Sequence, residues 1–139
     1  MGQVVDSSVL IAAERGRFDL LKYFRAHSQE EFFLSAITWS ELLHGLERAT
    51  QPAVREKRRR FLQDVDAHTG FLAFGRKEAQ SHARIWASLE SQGAIIGAHD
   101  LLIAATALAN SHTLATLNVS EFARVPGLKL ANVDGFKIS

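Results

Sequence analysis

Five residues carry the chemistry that this sequence offers: Asp6, Glu41, Asp100, Asn118 and Glu121. Asp6 stands between the apolar pair Val4-Val5 and the apolar run Val9-Leu10-Ile11. Glu41 lies just after the run Phe32-Phe33-Leu34, in the first turn of the helix expected there. Asp100 opens the almost wholly apolar stretch Leu101–Ala109, and Asn118 and Glu121 follow Thr113–Leu117. Carboxylates that meet in one crevice repel each other and stay ionised together only when a cation neutralises them. The hard cations Mg²⁺ and Mn²⁺ take oxygen ligands and keep several waters. Each residue taken singly also has a structural explanation. Thr38-x-x-Glu41 is a capping-box pattern, and Asn118-x-x-Glu121 is close to one. Asp100 suits a helix start after Gly97, and Asp6 suits a strand-to-helix turn.

The elements that must position these residues follow from hydrophobic periodicity. Strands are predicted at Gln3–Asp6, Glu31–Ala36, Gly70–Phe74 and Thr113–Leu117, with a further one at Leu128–Val133. Helices are predicted at Val9–Ala13, Phe18–Ala26, Thr38–Ala49, Pro52–His68, Lys77–Gln92 and Asp100–Ala109, with Ser7 or Ser8 as cap of the first. Strands alternating with helices predict an α/β domain with a mainly parallel central sheet flanked by helices. In such a sheet the carboxyl ends of the strands share one edge, where ligands bind. The acids fall at those ends, and this conjunction outweighs the separate capping explanations. With 139 residues, two prolines and no Gly/Ser-rich linker, a single domain over 1–139 is expected.

Several chemistries are excluded. No cysteine is present, so disulfides, thiol catalysis and thiolate metal sites are absent. No GxxxxGK[ST] phosphate loop and no GxSxG nucleophile motif occurs. Glu41-x-x-His44 has the spacing of a di-iron half-site, but no second copy accompanies it. Nothing resembles a signal peptide or reaches the length of a membrane span, so a cytoplasmic address is expected. Trp39 and Trp86 lie on apolar helical faces and fit core or dimer packing. The net charge is only +1, yet five of the six residues from Arg55 to Arg60 are basic. A solvated helix face accounts for such a run. Its functional alternative, carried by Arg58 and Arg59, is a guide for RNA or a dock for an acidic protein segment.

Four stretches together carry a family resemblance: Val5-Asp6-Ser7-Ser8-Val9-Leu10-Ile11, Ser35-Ala36-Ile37-Thr38-Trp39-Ser40-Glu41-Leu42, Ile96-Gly97-Ala98-His99-Asp100-Leu101-Leu102-Ile103-Ala104-Ala105, and Leu114-Ala115-Thr116-Leu117-Asn118-Val119-Ser120-Glu121-Phe122 with Val125-Pro126-Gly127-Leu128. In this order they resemble PIN-domain proteins, specifically VapC-type toxin ribonucleases of toxin–antitoxin pairs. The resemblance implies a PIN fold, a Mg²⁺-dependent endoribonuclease with Mn²⁺ as substitute, homodimerisation, and inhibition by a VapB-like antitoxin. Asp6, Glu41 and Asp100 match the family's core acids. Asn118 stands where many members carry aspartate, with Glu121 one turn on, and Ser8 stands where many carry asparagine. The implied catalytic set is Asp6, Glu41, Asp100 and Glu121, and the implied metal-facing set is Asp6, Asp100 and Asn118. Asp100 or Glu121 would orient the attacking water, and Ser7 or Thr116 would hydrogen-bond a carboxylate or the scissile phosphate. The alternative is a PIN-like binding module that lost catalysis through Asn118, or a nuclease that is no toxin.

Overall fold

The near-continuous apolar runs of this chain suit a parallel sheet covered on both faces, and the computed structural model, which describes residues 2–139, has that architecture. Met1, the first residue of the expected domain, lies outside the described residues. Four strands are ordered β3-β2-β1-β4, with β1 at Gly2–Val5, β2 at Glu31–Ser35, β3 at Gly70–Leu72 and β4 at Thr113–Ala115. All three pairings are parallel, with Gln3 opposite both Phe32 and Thr113, and Leu34 opposite Phe71. Parallel neighbours require crossover connections. Helices α1 (Ser7–Glu14) and α2 (Leu20–Ala26) link β1 to β2. Helices α3 (Ala36–Arg48) and α4 (Pro52–His68) link β2 to β3. Helices α5 (Arg76–Ser91) and α6 (Ala98–Ala109) return the chain to β4.

The sheet divides the core in two because successive side chains of a strand point to opposite faces. Val4 joins Ile85, Leu89, Ile103, Leu114 and Phe122 on the face covered by α5 and α6. Val5 joins Val9, Leu10, Tyr23, Leu34 and Val65 on the face covered by α1, α2 and α4. Helix α6 is buried at Leu101 and from Ile103 to Ala107. Each large aliphatic side chain sequestered in this way stabilises the fold by about 1.5–3 kcal/mol.

Strand order decides where the site lies. The chain builds outward from β1 to β2 to β3, then crosses back to place β4 on the other side of β1. Beyond the carboxyl ends of β1 and β4 the connections diverge in opposite directions, which opens a crevice at the switch point. Asp6 directly follows β1, and Thr116 directly follows β4.

Four expected details differ; the first is that α1 begins at Ser7 with Asp6, not Ser7 or Ser8, at its N-cap. Leu128–Val133 is not a strand: Leu130 forms one parallel bridge to Leu114. There Leu114 donates its N–H to the Lys129 carbonyl, and Ala131 donates to Leu114. Asn132 then accepts from the Asp134 N–H, and a 3₁₀ turn at Asp134–Phe136 takes the chain off the sheet. The capping box at Thr38 does not form. Helix α3 starts at once after β2, with Ser35 as cap accepting from the Thr38 N–H at 3.1 Å. Trp86 is 48% exposed and stands outside the core, whereas Trp39 packs against the second cluster.

A buried carboxylate ties the start of α5 to the end of α6. Glu78 accepts from the Gly75 N–H at 2.9 Å and from the Asn110 amide at 3.0 Å. Burial opposes its ionisation, but these donors prevail and hold its carboxyl below the usual range. Glu78→Ala removes two hydrogen bonds to a charged carboxylate and lowers stability by about 1–3 kcal/mol, measured as a shift of the urea midpoint. Because the folded pKa is depressed, this contribution is present above the unfolded pKa of about 4.3 and disappears as pH falls through the folded value.

Candidate active site

Asp6 occupies the N-cap position of α1, yet its side chain caps nothing. It is 2% exposed, and its Oδ2 accepts from the Ser8 hydroxyl at 2.7 Å and the Thr116 hydroxyl at 2.8 Å. The direction of both bonds is fixed. Ser8 Oγ accepts from the Leu117 N–H at 3.0 Å, and Thr116 Oγ1 accepts from the Asn118 N–H at 2.9 Å. Because an ionised carboxylate only accepts, each hydroxyl turns its own proton toward Asp6. The other oxygen, Oδ1, is buried and has no partner among the described residues. A buried carboxylate oxygen left in this state is costly unless another group comes to it. Thr116 is a partner that the sequence suggests, but Ser8 rather than Ser7 is the second donor. The i, i+2 spacing of Asp6-x-Ser8 is the signal that points to it.

Glu41 lies in the second turn of α3 because that helix begins at Ala36. Its Oε1 is also buried without a partner among the described residues, and its Oε2 lies 3.4 Å from His99 Nδ1. Asp100 is in the first turn of α6, whose N-cap is Gly97. The Asn118 amide nitrogen donates to Asp100 Oδ2 at 3.3 Å and to Glu121 Oε2, so the nitrogen of Asn118 faces both carboxylates. Glu121 Oε1 accepts from the Gly97 N–H at 3.0 Å. The sequence-derived acids therefore converge from the ends of β1 and β4 and from the flanking helices α3 and α6.

Electrostatics records this convergence. Burial, then the charges of Asp6 and Glu121 and the smaller influence of Glu41, push the Asp100 carboxyl up to about 6. The Gly97 N–H and the Asn118 amide hold Glu121 below the usual carboxylate range. Among the described residues no three His, Asp or Glu side chains stand close enough to hold an ion unaided. Mg²⁺ does not need that, since it binds through one or two carboxylates and retains waters. Two unpartnered buried oxygens beside a carboxyl raised by its neighbours are a donor set that fits a hard divalent cation.

The basic run separates into parts. Arg59 and Arg60 both bind Glu56, at 2.6 and 3.1 Å. Arg55 donates to the Leu46 carbonyl. Arg58 donates to the Gly45 carbonyl at 2.8 Å and lies 3.5 Å from Glu14. Arg58 lines a groove of about 450 Å³ between α1, α3 and α4 that includes Ile11, Glu41, His44 and Lys57; Arg59 does not line it.

Comparisons with known proteins agree with this architecture. The PIN domain family matches residues 4–128. Ribonuclease VapC1 of Rickettsia felis is 38% identical over 133 residues, covering 96% of this chain and 97% of that protein. Ribonuclease VapC of Rickettsia bellii is 35% identical over the same span and coverage. Among solved structures, VapBC2 from Rickettsia felis bound to a promoter DNA fragment superimposes with a TM-score of 0.83 at 27% identity, covering 95% of this chain and 98% of that one. DNA-bound VapBC from Salmonella typhimurium shares the fold, with a TM-score of 0.84 at 22% identity over 94% of this chain and 97% of that one. The parallel sheet, the crevice at its switch point and the sequence match across nearly the whole chain agree: this chain belongs to the PIN-domain family, among its VapC-type members.

Proposed function

We propose that this protein is a Mg²⁺-dependent endoribonuclease, with Mn²⁺ as substitute, and the toxin of a VapBC-type toxin–antitoxin pair. The observation that carries the reading is Asp6: buried, fastened by two hydroxyls through one oxygen, and unpartnered at the other. Asp6 and Asp100 would hold the ion, with Glu41 beside them. Asn118 steadies Asp100 and Glu121 and adds no charge. When bound, the ion supplies Lewis acidity, lowering the pKa of a bound water and offsetting charge at the scissile phosphate.

The residues of the chain divide the remaining work. Asp100, raised in the metal-free fold by burial and its acidic neighbours and held ionised once a cation offsets them, would orient the attacking water and accept its proton. Glu121 is the weaker base, because both its oxygens are engaged and its pKa is depressed. Attack of water on phosphorus forms the new P–O bond as the P–O3′ bond breaks. The water's proton passes to Asp100, the leaving 3′ oxygen takes a proton from solvent, and the products carry a 5′-phosphate and a 3′-hydroxyl.

A VapB-like antitoxin is the proposed protein partner, consistent with the VapBC complexes among the structural relatives. The groove containing Glu41 and Arg58 is the proposed seat for it, and Arg59 would touch RNA or antitoxin only from outside that groove. A homodimer and a cytoplasmic address complete the reading; among the described residues no helix is long and apolar enough to cross a membrane. Transfer RNA is the first substrate to try, because a relative of 29% identity from Shigella flexneri is named a tRNA(fMet)-specific endonuclease. Purified protein incubated with tRNA and total RNA should cleave with Mg²⁺ and stop with chelator, and end mapping should find 5′-phosphates. Undiminished cleavage in chelator defeats the metal-dependent reading. Wild type that binds RNA but leaves it intact with Mg²⁺ points instead to a binding module.

A further inference from the structure

An acidic centre repels the polyanion it is proposed to cut, so cations must offset that repulsion close by. The groove on the α4 side has cations of its own, Arg15, Arg48 and Lys57, but it also carries the carboxylates Glu14 and Glu41, and its Arg58 is engaged by Glu14 and the Gly45 carbonyl. Adjoining it across Ile11 and Arg15, which line both, lies a second cleft, of about 400 Å³, whose other walls include Ser8, Arg17, Leu117 and Lys137, with no carboxylate among them. Ser8 is the residue whose hydroxyl touches Asp6, so a single side chain separates this cleft from the first of the acids.

The fold builds the cleft from distant parts of the chain. Helix α1 stops at Glu14, and Gly16 takes a φ of +75°, which lets the Arg17 N–H turn back to the Ala12 carbonyl. The C-terminal segment then pairs antiparallel with this turn. Phe18 bridges Lys137, and the Ile138 N–H donates to the Arg17 carbonyl at 2.8 Å. Cations beyond a helix C-terminus are ordinary partners of its dipole, which accounts for Arg15. That does not account for Lys137, carried there by the other end of the chain. Among the described residues, neither Arg15 nor Arg17 has a carboxylate within ion-pairing distance. Lys137 has only the exposed Asp134, at 3.1 Å. Ile11 and Ile138 are partly exposed at the same place and offer apolar surface to a sugar or base.

We propose that the cleft of Arg15, Arg17 and Lys137 beside Ser8 is a phosphate-binding subsite for the single-stranded part of the RNA substrate flanking the cleaved bond. This deepens the nuclease reading and rests on it. The test compares wild type with the double variants Arg17→Glu/Lys137→Glu and Arg17→Gln/Lys137→Gln, the neutral pair serving if charge reversal impairs folding. RNA cleavage is measured with a long single-stranded substrate across salt concentrations, and RNA binding is measured in chelator by fluorescence anisotropy. Loss of two single-strand phosphate contacts flattens the slope of log affinity against log salt by about 1.4, equivalent to about 25-fold weaker binding at 0.1 M salt relative to 1 M. The loss falls mainly on KM and is larger for a long strand than for a dinucleotide. Asp134→Asn frees Lys137 and moves KM the opposite way. An unchanged slope and KM in both double variants overturns the proposal. So does loss of affinity for an acidic peptide with RNA binding intact, which would assign the cleft to a protein partner. A wild type that binds RNA without cutting it defeats the nuclease reading, while the anisotropy measurement still decides whether the cleft holds phosphate.

Discussion

Asp6→Asn removes divalent-ion binding and lowers RNA cleavage by about 10³-fold or more, while circular dichroism and the thermal midpoint stay close to wild type. The reason is more than lost charge. The protons of Ser8 and Thr116 are aimed at this side chain because a carboxylate only accepts, and each hydroxyl also accepts an N–H, from Leu117 and Asn118. An asparagine that keeps both hydroxyl bonds turns its oxygen toward them, which places its NH₂ where Asp6 has the unpartnered Oδ1. A donor then occupies the position of an acceptor, and a cation cannot be held there. Calorimetry with Mn²⁺ reads the lost binding separately from catalysis. An Asp6→Asn protein that binds Mn²⁺ with wild-type affinity would remove Asp6 from the metal centre.

Asp100→Asn makes the metal-free protein more stable at pH 7–8 even though it abolishes cleavage. In the fold the Asp100 carboxyl is pushed up to about 6 by burial and by neighbouring carboxylates, against an unfolded value of about 3.9. A folded pKa above the unfolded one means that the native state holds its proton longer. Stability is thus lost as pH rises between these two values, and the whole penalty is present above about 6. Two pKa units would be near 3 kcal/mol, but solvent on the open side of this half-buried group reduces that to about 1–2 kcal/mol. Asparagine removes the penalty and keeps a hydrogen-bonding partner for Asn118. The thermal midpoint of the metal-free variant should exceed wild type by about 3–6 °C at pH 7.5 and converge with it near pH 4. Mg²⁺ should raise the wild-type midpoint and leave the variant's unmoved, by linkage to ion binding. A variant midpoint at or below wild type at pH 7.5 would show that the acids do not strain one another.

The alternation of strands and helices and the placement of acids at strand ends are legible in the order of residues. Both follow from local periodicity: buried faces recur every two residues in a strand and three to four in a helix. The four main strands and six helices emerge in this way, with ends displaced by a residue or two. The displacements matter where capping competes with function. The sequence pattern offers Thr38 as a cap paired with Glu41, but β2 runs straight into α3 and Ser35 caps it instead, which leaves Glu41 free for the site. The apolar run after Pro126 resembles a strand, yet it keeps one bridge because the Asn132 turn leads the chain away.

Residue order alone is enough to specify an α/β chain with Asp6, Glu41 and Asp100 at the places where a parallel sheet gathers ligands. Tertiary packing selects which atoms of those residues are free. Thr116 reaches Asp6 only because β4 pairs with β1 and not with β3, and Lys137 reaches Arg17 only because the last residues pair with the turn after α1. No local pattern encodes strand order or the meeting of chain ends. Both are settled by the burial of whole faces, a property of the assembled core, and the unpartnered oxygens of Asp6 and Glu41 result from that assembly.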